Sequence, residues 1–370
     1  MTETPRLDCR HYIGDRPCAF GGPCDMTCED YAPFGTRILV VKLAAAGDVL
    51  RSTAVLPGLR SVHGNAHITW VTESPAVPLL LNHPHIDRLS LFGFDAWLEL
   101  GRVSFDLVVC LDKDPRAAAF ADSMKARRRL GFGLSEHGTV RPLNEGAAYD
   151  HALGLSNEMK FHENELTCPE IVCRIAEVPY DREPYVMTLD EDDVSGAAAF
   201  LESLDLRSPL VGLNVGAGAV FARKAWTVEG YAELARRIAA ELGGTAVVLG
   251  GPDDRRRMEA VLARSEGAAV DGGLHELGEF AALLASLDAL VTGDTMALHI
   301  AVALGVPVVA IFGPTVPQEI DLFDRGAKVV SDAPCAPCYR RSCDVEPDCM
   351  SAVSVDSVFD ALLPLVREAA

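Results

Sequence analysis

Four polar or glycine-rich turns in this sequence carry residue types that can hold a phosphate or move a proton. They run from Ala44 to Asp48, from Gly216 to Thr227, from Gly250 to Asp253 and from Gly293 to Thr295. Each turn follows a short apolar run that is typical of a buried strand. Glycines let backbone amides approach a phosphate, and Lys224 in the second turn supplies a positive charge. The four turns together predict a site for a nucleotide-like ligand.

Asp294, Thr295 and His299 belong to a segment that shows how such turns are positioned. Apolar residues 289–291 and 306–312 predict two buried strands, and the residues between them predict a helix. Two buried strands joined by one helix are typical of a parallel β–α–β unit, which binds ligands at the carboxyl ends of its strands. Asp294 and Thr295 follow the first strand directly, and His299 lies on the helix.

Strands and helices alternate along the chain in two series, one from Arg37 to Gly133 and one from Asp190 onward. The 370 residues are too many for one ordinary domain, so the pattern predicts an α/β protein with two doubly wound parallel sheets facing across a cleft. We predict a cysteine-rich cap (1–35), a first domain (36–185), a second domain (186–333) and a C-terminal segment (334–370) with a last helix.

The composition excludes several classes of protein. A formal net charge of -20 argues against nucleic acid as a partner, because such binding needs a positive field. No apolar run is long enough to cross a bilayer, and the polar N-terminus predicts no signal peptide and a cytoplasmic location. The sequence lacks a P-loop, a GxGxxG motif after the first strand and a GxSxG motif. This argues against P-loop NTPases, nicotinamide enzymes and α/β-hydrolases.

Three features of the sequence each allow two interpretations. Asp48 either caps the helix that follows it or acts as a catalytic carboxylate. The Gly216-Ala217-Gly218 run serves either a tight turn or a phosphate. Lys113, within Asp112-Lys113-Asp114, belongs either to a solvated turn or to a site for an anionic group of an acceptor.

Five motifs in order resemble glycosyltransferase family 9, best known for the ADP-heptose:lipopolysaccharide heptosyltransferases. They are strand 37–43 leading to Gly47-Asp48-Val49-Leu50, Asn214 to Gly218 with Lys224-Ala-Trp226, Leu249 to Pro252, Gly293-Asp294-Thr295 with His299, and Phe312 to Thr315. The resemblance implies a GT-B fold of two Rossmann-like domains. It places the acceptor in the N-terminal half, the ADP-sugar in the C-terminal half and the active site between them.

The resemblance also implies roles for single residues. Asp48 matches the general base that deprotonates the acceptor hydroxyl, with Gly47 and Lys113 on the acceptor side. The implied donor-binding residues are Gly216, Ala217, Gly218, Lys224, Gly251, Asp294, Thr295, Met296 and His299. Met296 stands where many family members have glycine. A base on one face and stabilised phosphate charge on the other suit an inverting displacement. We expect no catalytic metal, because the donor half has no Asp-x-Asp motif at a strand end.

Eight of the eleven cysteines form two terminal clusters. They are Cys9, Cys18, Cys24 and Cys28 near the N-terminus and Cys335, Cys338, Cys343 and Cys349 near the C-terminus. Nothing in the sequence suggests export, so metal binding is favoured over disulfides. We predict structural zinc, or else iron or an iron–sulfur cluster, in separate or shared sites. The C-terminal cluster also resembles the iron-binding cysteine motif of the autotransporter heptosyltransferase branch.

The sequence therefore predicts an inverting glycosyltransferase that uses a nucleotide-activated sugar, with ADP-heptose as the favoured donor. Its acceptor is a glycan, a protein or a small metabolite, and a homo-oligomer is compatible with the sequence. Two alternatives are a non-catalytic GT-B-like protein that senses metal or redox state and a nucleotide-sugar epimerase of GT-B fold.

Overall fold

The computed structural model describes residues 5–218, 224–340 and 342–368, and these contain two six-stranded sheets. The first sheet consists of β1 (Thr36–Val41), β2 (Ala66–Thr72), β3 (Arg88–Leu91), β4 (Ser104–Cys110), β5 (Lys125–Leu134) and β6 (Val140–Pro142). Its strand order is β3-β2-β1-β4-β5-β6, and β6 pairs antiparallel to β5. The central strands are buried along most of their length, as expected for a sheet that is covered on both faces.

The second sheet repeats this order. It consists of β7 (Leu210–Asn214), β8 (Thr245–Leu249), β9 (Ala269–Asp271), β10 (Ala289–Gly293), β11 (Val308–Phe312) and β12 (Gly326–Val330). The order is β12-β11-β10-β7-β8-β9, and its pairings are parallel. Both sheets therefore have the Rossmann strand order, which confirms the predicted fold class.

Seven helices lie in the first half of the described chain and six in the second. Those of the first half are α1 (Ala46–Ser52), α2 (Val55–His63), α3 (Val77–Leu80), α4 (Phe94–Leu100), α5 (Pro115–Ser123), α6 (Glu145–Leu155) and α7 (Cys168–Ala176). Those of the second half are α8 (Glu191–Glu202), α9 (Val228–Arg237), α10 (Arg255–Arg264), α11 (Leu277–Ala285), α12 (Met296–Leu304) and α13 (Val355–Glu368).

The structure corrects three details of the predicted elements. The sequence pattern predicts one helix from Val49 to Val62, but the structure has two, because Pro57 has no N–H to donate to the Thr53 carbonyl. In the loosely patterned region 141–185, which is predicted to bridge the two domains, the pattern predicts one helix from Asn164 to Glu177; the structure adds α6, and α7 begins only at Cys168, where the Thr167 side chain caps its first turn. The pattern also predicts a helix up to Ala126 and a strand from Arg129, whereas β5 already starts at Lys125.

The two halves meet through an apolar contact between helices. Leu50, Ala54 and Leu79 of the first half belong to the same buried cluster as α11 and α12 of the second half. Tyr185, on the segment that connects the halves, is buried in this cluster as well. Helix α13 packs on the second sheet through Val358, Phe359 and Leu362. Within the described ranges, no helix is long and apolar enough to cross a membrane.

Candidate active site

The three charged residues singled out by the sequence follow central strands of the two sheets. Asp48 follows β1, Lys224 follows β7 and Asp294 follows β10. Strands β1 and β4, and likewise β7 and β10, are the neighbours at which the strand order of each sheet reverses. Such switch points leave a crevice at the carboxyl ends of the strands, which is where open α/β sheets bind ligands.

Asp48 lies in the first turn of α1 and forms an ion pair with Arg51, 2.8 Å away between Oδ1 and Nη2. Its side chain is 42% exposed, so the carboxylate can be reached from the cleft. Burial alone would raise the pKa of Asp48, but the charges of Arg51, Lys42, His299 and Lys224 lower it to about 2. Asp48 is therefore a carboxylate at neutral pH, held between cations from both halves.

His299, on α12 of the second half, lies close to Asp48 of the first half. The imidazole is buried, and its Nδ1 lies 3.2 Å from the hydroxyl of Tyr185. Burial and the Arg51 charge lower the pKa of His299 to about 4, so the ring is neutral at pH 7. A Cβ on Gly47 would lie 2.8 Å from the His299 ring carbon Cδ2. Glycine at position 47 therefore lets α1 and α12 approach each other beside the cleft.

Lys224 and Asp294 form the polar pair of the second half. Lys224 Nζ lies 2.9 Å from Asp294 Oδ2 and donates to the Asp294 carbonyl oxygen at 3.3 Å. Burial opposes ionisation of Asp294, but the charges of Lys224 and His299 lower the pKa of this carboxyl. The Lys224 carbonyl oxygen would be 2.6 Å from a Cβ on Gly293, so glycine is needed where the two turns meet.

Thr295 precedes α12 without capping it. Its hydroxyl instead accepts from Asn214 Nδ2 at 3.2 Å and lies 3.0 Å from the hydroxyl of Thr292. Within the part of the chain that the structure describes, Thr295 thus gives the first N–H groups of α12 no side-chain cap, and a helix N-terminus of this kind attracts phosphate. Met296 is the first residue of α12 and has no positive φ, so this position does not require glycine.

The remaining glycine-rich turns are held together by Asp254. Gly251 donates its N–H to Asp254 Oδ2 at 3.0 Å, and a Cβ on Gly216 would lie 2.3 Å from the same oxygen. Gly216 is thus required by packing, whatever else the turn binds. Ala217 and Gly218 continue this turn, and Gly218 has a φ of +69°. Residues 219–223, also part of the predicted turn, lie outside the described residues.

In the first half, on the predicted acceptor side, Lys113 donates to Asp150 Oδ1 at 2.9 Å and to the Asp150 carbonyl oxygen at 3.1 Å. Next to it, Lys42 pairs with Asp112 at 3.3 Å, and Asp112 also accepts from the backbone N–H groups of Leu43, Ala44 and Asp114. The turn at Asp112 to Asp114 is therefore organised by its own acids, and Lys113 already has an acidic partner.

Sequence reasoning missed Lys42, Arg51 and Tyr185. Arg51 could have been found from its spacing of three residues after Asp48, because such residues are neighbours on a helix. Lys42 is the last residue but one of the predicted strand 37–43, and its partner Asp112 lies 70 positions later. Tyr185 is 114 positions before His299, and no local pattern links the two.

The cysteine clusters lie on different sheets. Cys9, Cys18, Cys24 and Cys28 line one small cavity in the cap, which joins the amino edge of the first sheet through hydrogen bonds such as Arg10 to Asn65. Cys349 packs against Gly313, just after β11, and its pKa is raised to about 11 by burial first, then by the charges of Asp348 and of the other three C-terminal cysteines. Each set of four is therefore gathered in its own place.

Neither cluster has ready metal-site geometry. Among the residues that the structure describes, no group of three His, Cys, Asp or Glu side chains is arranged to hold a metal ion. The donor types nevertheless suit zinc or iron. The predicted metal sites thus stay predictions.

Comparisons with known proteins agree with this architecture. The family profile described as glycosyltransferase family 9 (heptosyltransferase) matches residues 94–348, which is more than half of the chain. Lipopolysaccharide heptosyltransferase 1 of Pseudomonas aeruginosa is 26% identical over 341 residues, covering 84% of this chain and 88% of the relative. Asp48 lies before the matched range of the profile, while this longer alignment spans most of the chain.

Solved structures share the fold. A family 9 glycosyltransferase from Veillonella parvula superposes with a TM-score of 0.71 and 22% identity, covering 90% of this chain and 98% of that structure. The ADP-heptose lps heptosyltransferase II of E. coli superposes with a TM-score of 0.66 and 20% identity, covering 90% and 100%. These structures show the GT-B fold for the two sheets. The family profile goes further, because it matches more than half of the residues in sequence: the chain belongs to glycosyltransferase family 9.

Proposed function

We propose that this glycosyltransferase moves a heptose from ADP-heptose to a hydroxyl group of an acceptor glycan, with inversion at the anomeric carbon. One observation carries the proposal. The charge of Lys224 in the second half helps to lower the pKa of Asp48, and the charge of Arg51 in the first half helps to lower the pKa of Asp294, so the two groups of residues lie close together. A carboxylate and a cation that face each other from opposite sheets suit a displacement between two substrates.

The family membership supports the donor and acceptor classes. The relatives are named for lipopolysaccharide heptosyl transfer, and one solved relative is named for ADP-heptose. Lys224 and the uncapped N-terminus of α12 offer positive charge for a diphosphate. Asp294, once Lys224 turns to the phosphates, is left to accept hydrogen bonds from hydroxyl groups of the donor sugar.

In the proposed reaction, the acceptor oxygen forms a bond to the anomeric carbon as the bond from that carbon to the diphosphate oxygen breaks. The electron pair of the broken bond leaves with ADP, and the acceptor proton passes to a carboxylate oxygen of Asp48. Lys224 and the α12 N-terminus stabilise the negative charge that develops on the leaving diphosphate. Attack opposite to the leaving group inverts the anomeric centre.

Replacing Asp48 and Lys224 separately tests these roles. We expect Asp48→Ala to lower kcat by about 10²- to 10⁴-fold, the usual contribution of a general base, and to leave ADP affinity unchanged. Lys224→Ala should weaken ADP binding by about 10- to 100-fold, because a charge-assisted contact is lost. Kinetics, calorimetric titration of ADP and the anomeric configuration of the product by NMR provide the measurements.

Asp95→Asn is the matched control, because Asp95 is an exposed acid in the first turn of α4, as Asp48 is in α1. Its kinetics should equal those of the wild type. Full turnover by both Asp48→Ala and Lys224→Ala would refute the site. Release of ADP without any acceptor would instead favour an epimerase.

We also propose that each cysteine cluster holds one structural metal ion, with zinc preferred over iron. The support is the gathering of four cysteines around one cavity in the cap and of three more around Cys349 beside Gly313. Clustered thiolates are ligands for zinc or iron. Neither cluster lines the cleft at Asp48, so we assign the metals no step in the reaction.

A further inference from the structure

A cavity of about 290 Å³ opens beside Asp48 on the side of the first sheet. Asp48 and Arg51 form part of its wall, whereas Lys224 and Asp294 do not line it. The volume matches a small ligand such as one sugar unit. Because the candidate base borders this cavity and the candidate donor residues lie outside it, the cavity is the place for the acceptor in the proposed function, on which the following inference rests.

The formal charges of the side chains that line this cavity cancel. Four cations and four acids line it, so their formal charges sum to zero. They form four ion pairs: Lys42–Asp112 at 3.3 Å, Arg51–Asp48 at 2.8 Å, Lys113–Asp150 at 2.9 Å and Lys160–Glu319 at 3.7 Å. The cavity therefore has no excess of positive charge with which to attract a phosphate or carboxylate.

The pairs are built into the fold rather than loosely placed on a surface. Asp112 accepts from the backbone N–H groups of Leu43 and Ala44, and the side chains of Asp112 and Lys42 are only 12% and 11% exposed. Lys42 also donates to the Ala44 carbonyl oxygen at 2.6 Å. An anionic acceptor group would have to separate such a pair and leave its acid unpaired in a partly buried place, which is costly.

The charges around Lys224, on the proposed donor side of the cleft, differ from those of the cavity in one respect. Lys224 is also paired with an acid, but the nine-residue helix α12 adds an uncapped N-terminus there. In the acceptor cavity, Asp48 itself occupies the first turn of the short helix α1, so its negative charge offsets that helix end. The two sides of the cleft therefore differ in electrostatic character, although each contains lysines.

Aliphatic side chains also line the cavity, namely Leu111, Leu153, Ile171, Val172 and Ile175. A lining that combines aliphatic side chains with ion pairs suits a ligand with an apolar face and a hydroxyl-rich edge, as a sugar ring has. A hydroxyl group both donates and accepts, so it can bond to an acid and to its paired cation without separating their charges.

We propose that the acceptor unit bound beside Asp48 is an uncharged sugar ring, without a phosphate or carboxylate group on that ring. Lys113 then serves to hold Asp150 and to bond a hydroxyl, not to bind an anionic group of the acceptor. The charge balance of the cavity selects against phosphorylated and acidic sugars, because each would add a net negative charge among paired ions.

Matched acceptor probes test this inference. The probes are methyl glycosides of heptose, glucose, galactose and mannose, each compared with its monophosphate ester, and methyl glucuronide compared with methyl glucoside. Binding to the full chain in the presence of ADP is followed by saturation-transfer NMR, and transfer from ADP-heptose is followed by product mass. We expect the best neutral glycoside to exceed its phosphate ester by about tenfold or more in both measurements.

The Asp150→Asn variant provides a second test, in which the same pair of probes is compared between the variant and the wild type. The result therefore does not depend on which sugar is chosen. This change removes one acid and leaves Lys113 unbalanced, so the ratio of phosphorylated to neutral acceptor binding should rise about tenfold. Glu99→Gln is the control, because Glu99 pairs with Arg88 outside the cavity and its removal should leave that ratio as in the wild type.

The outcomes are separable from those of the proposed function. Stronger binding of phosphorylated or acidic probes, or no binding of any sugar, would overturn the inference. A ratio that Asp150→Asn does not change would overturn it as well. Failure of the proposed function has a different signature, namely no ADP binding and no transfer from ADP-heptose, while the selectivity of acceptor binding still decides the charge of the acceptor.

Discussion

Asp48 is a weak base by virtue of its neighbours. Its carboxyl has a pKa of about 2, because the surrounding cations outweigh the effect of burial. In the proposed reaction, a base this weak cannot deprotonate a sugar hydroxyl before the reaction starts, so the proton would move as the new carbon–oxygen bond forms. Arg51 is the largest single contributor among the charges that lower the pKa of Asp48.

This gives a prediction for pH dependence. The lowered pKa values of Asp48 (about 2) and His299 (about 4) mean that neither group changes charge between pH 5 and 8. We expect kcat to show no acid limb from these groups in that range. In Arg51→Gln, the loss of a cation raises the pKa of Asp48, so an acid limb should appear at higher pH than in the wild type. Steady-state kcat measured from pH 4 to 8 checks this.

A wild-type acid limb near pH 6 would contradict this account.

The ionisation of Asp48 also affects the stability of the folded protein. Because the pKa of Asp48 is lower in the folded protein than the usual value of 3.8, its ion pair stabilises the fold above that value. This contribution is lost as pH falls toward 2.

Among the elements, α1 and α12 form a contact between the two halves. Their contact joins the helix that carries Asp48 to the helix that carries His299, and Gly47 lies against the His299 ring in it. Tyr185 supports His299 from the connecting segment. Small changes at this contact should therefore affect stability and the position of both side chains.

Gly47→Ala tests the helix contact. The added Cβ would lie 2.8 Å from a ring that is buried and hydrogen-bonded, so the His299 side chain must move. We expect the free energy of unfolding to fall by about 1–3 kcal/mol, as for overpacking in a core, less any gain in helix propensity. Urea unfolding measures the loss, and kcat should fall too.

Gly93→Ala is the comparison for that variant. Gly93 has an extended φ, and a Cβ added there meets nothing within 4 Å. Its free energy of unfolding should stay within about 0.5 kcal/mol of the wild type. If both variants are equally stable, the close approach of α1 and α12 is not a constraint.

At the scale of the whole molecule, two similar sheets are joined by a connecting segment and carry a cysteine cluster each. Arg182 on the connecting segment forms hydrogen bonds with Asp321 and Asp324 of the second half, which ties the segment down. The N-terminal cap lies at the amino edge of the first sheet, away from the strand ends that carry Asp48. The C-terminal cluster lies against the turn that begins at Gly313.

Metal content tests the proposed role of the cysteines. We expect about two zinc or iron ions per chain, each held by four thiolates, as is usual for closed structural sites. Cys24→Ser should lose one ion and lower Tm, because folding of the cap depends on its metal. Elemental analysis of the purified protein and thermal unfolding provide the measurements.

Cys173→Ala serves as the reference in that experiment. Cys173 is buried in the core of the first half, away from both clusters, so its replacement should leave the metal content unchanged even where Tm falls. Protein that carries no metal, with Cys24→Ser as stable as the wild type, would refute the proposal.

Much of the fold follows from local pattern. The apolar runs of β1, β7, β10 and β11 are buried throughout or nearly so, and short buried runs can be recognised from neighbouring residues alone. The break at Pro57 and the late start of α7 are also local effects, but each depends on one residue within an otherwise helical pattern. The boundaries of elements were therefore less predictable than their order.

The sequence by itself determined the fold class, the order of the strands along the chain and the identity of the residues at their carboxyl ends, because these depend on short-range periodicity and on recognisable motifs. Only the tertiary structure decided which charges are neutralised. Lys113 meets Asp150 across 37 positions, and Tyr185 meets His299 across 114. Such partners are brought together by the packing of α6 and of the connecting segment, and the net charge of the cavity beside Asp48 depends on the pair formed by Lys113 and Asp150.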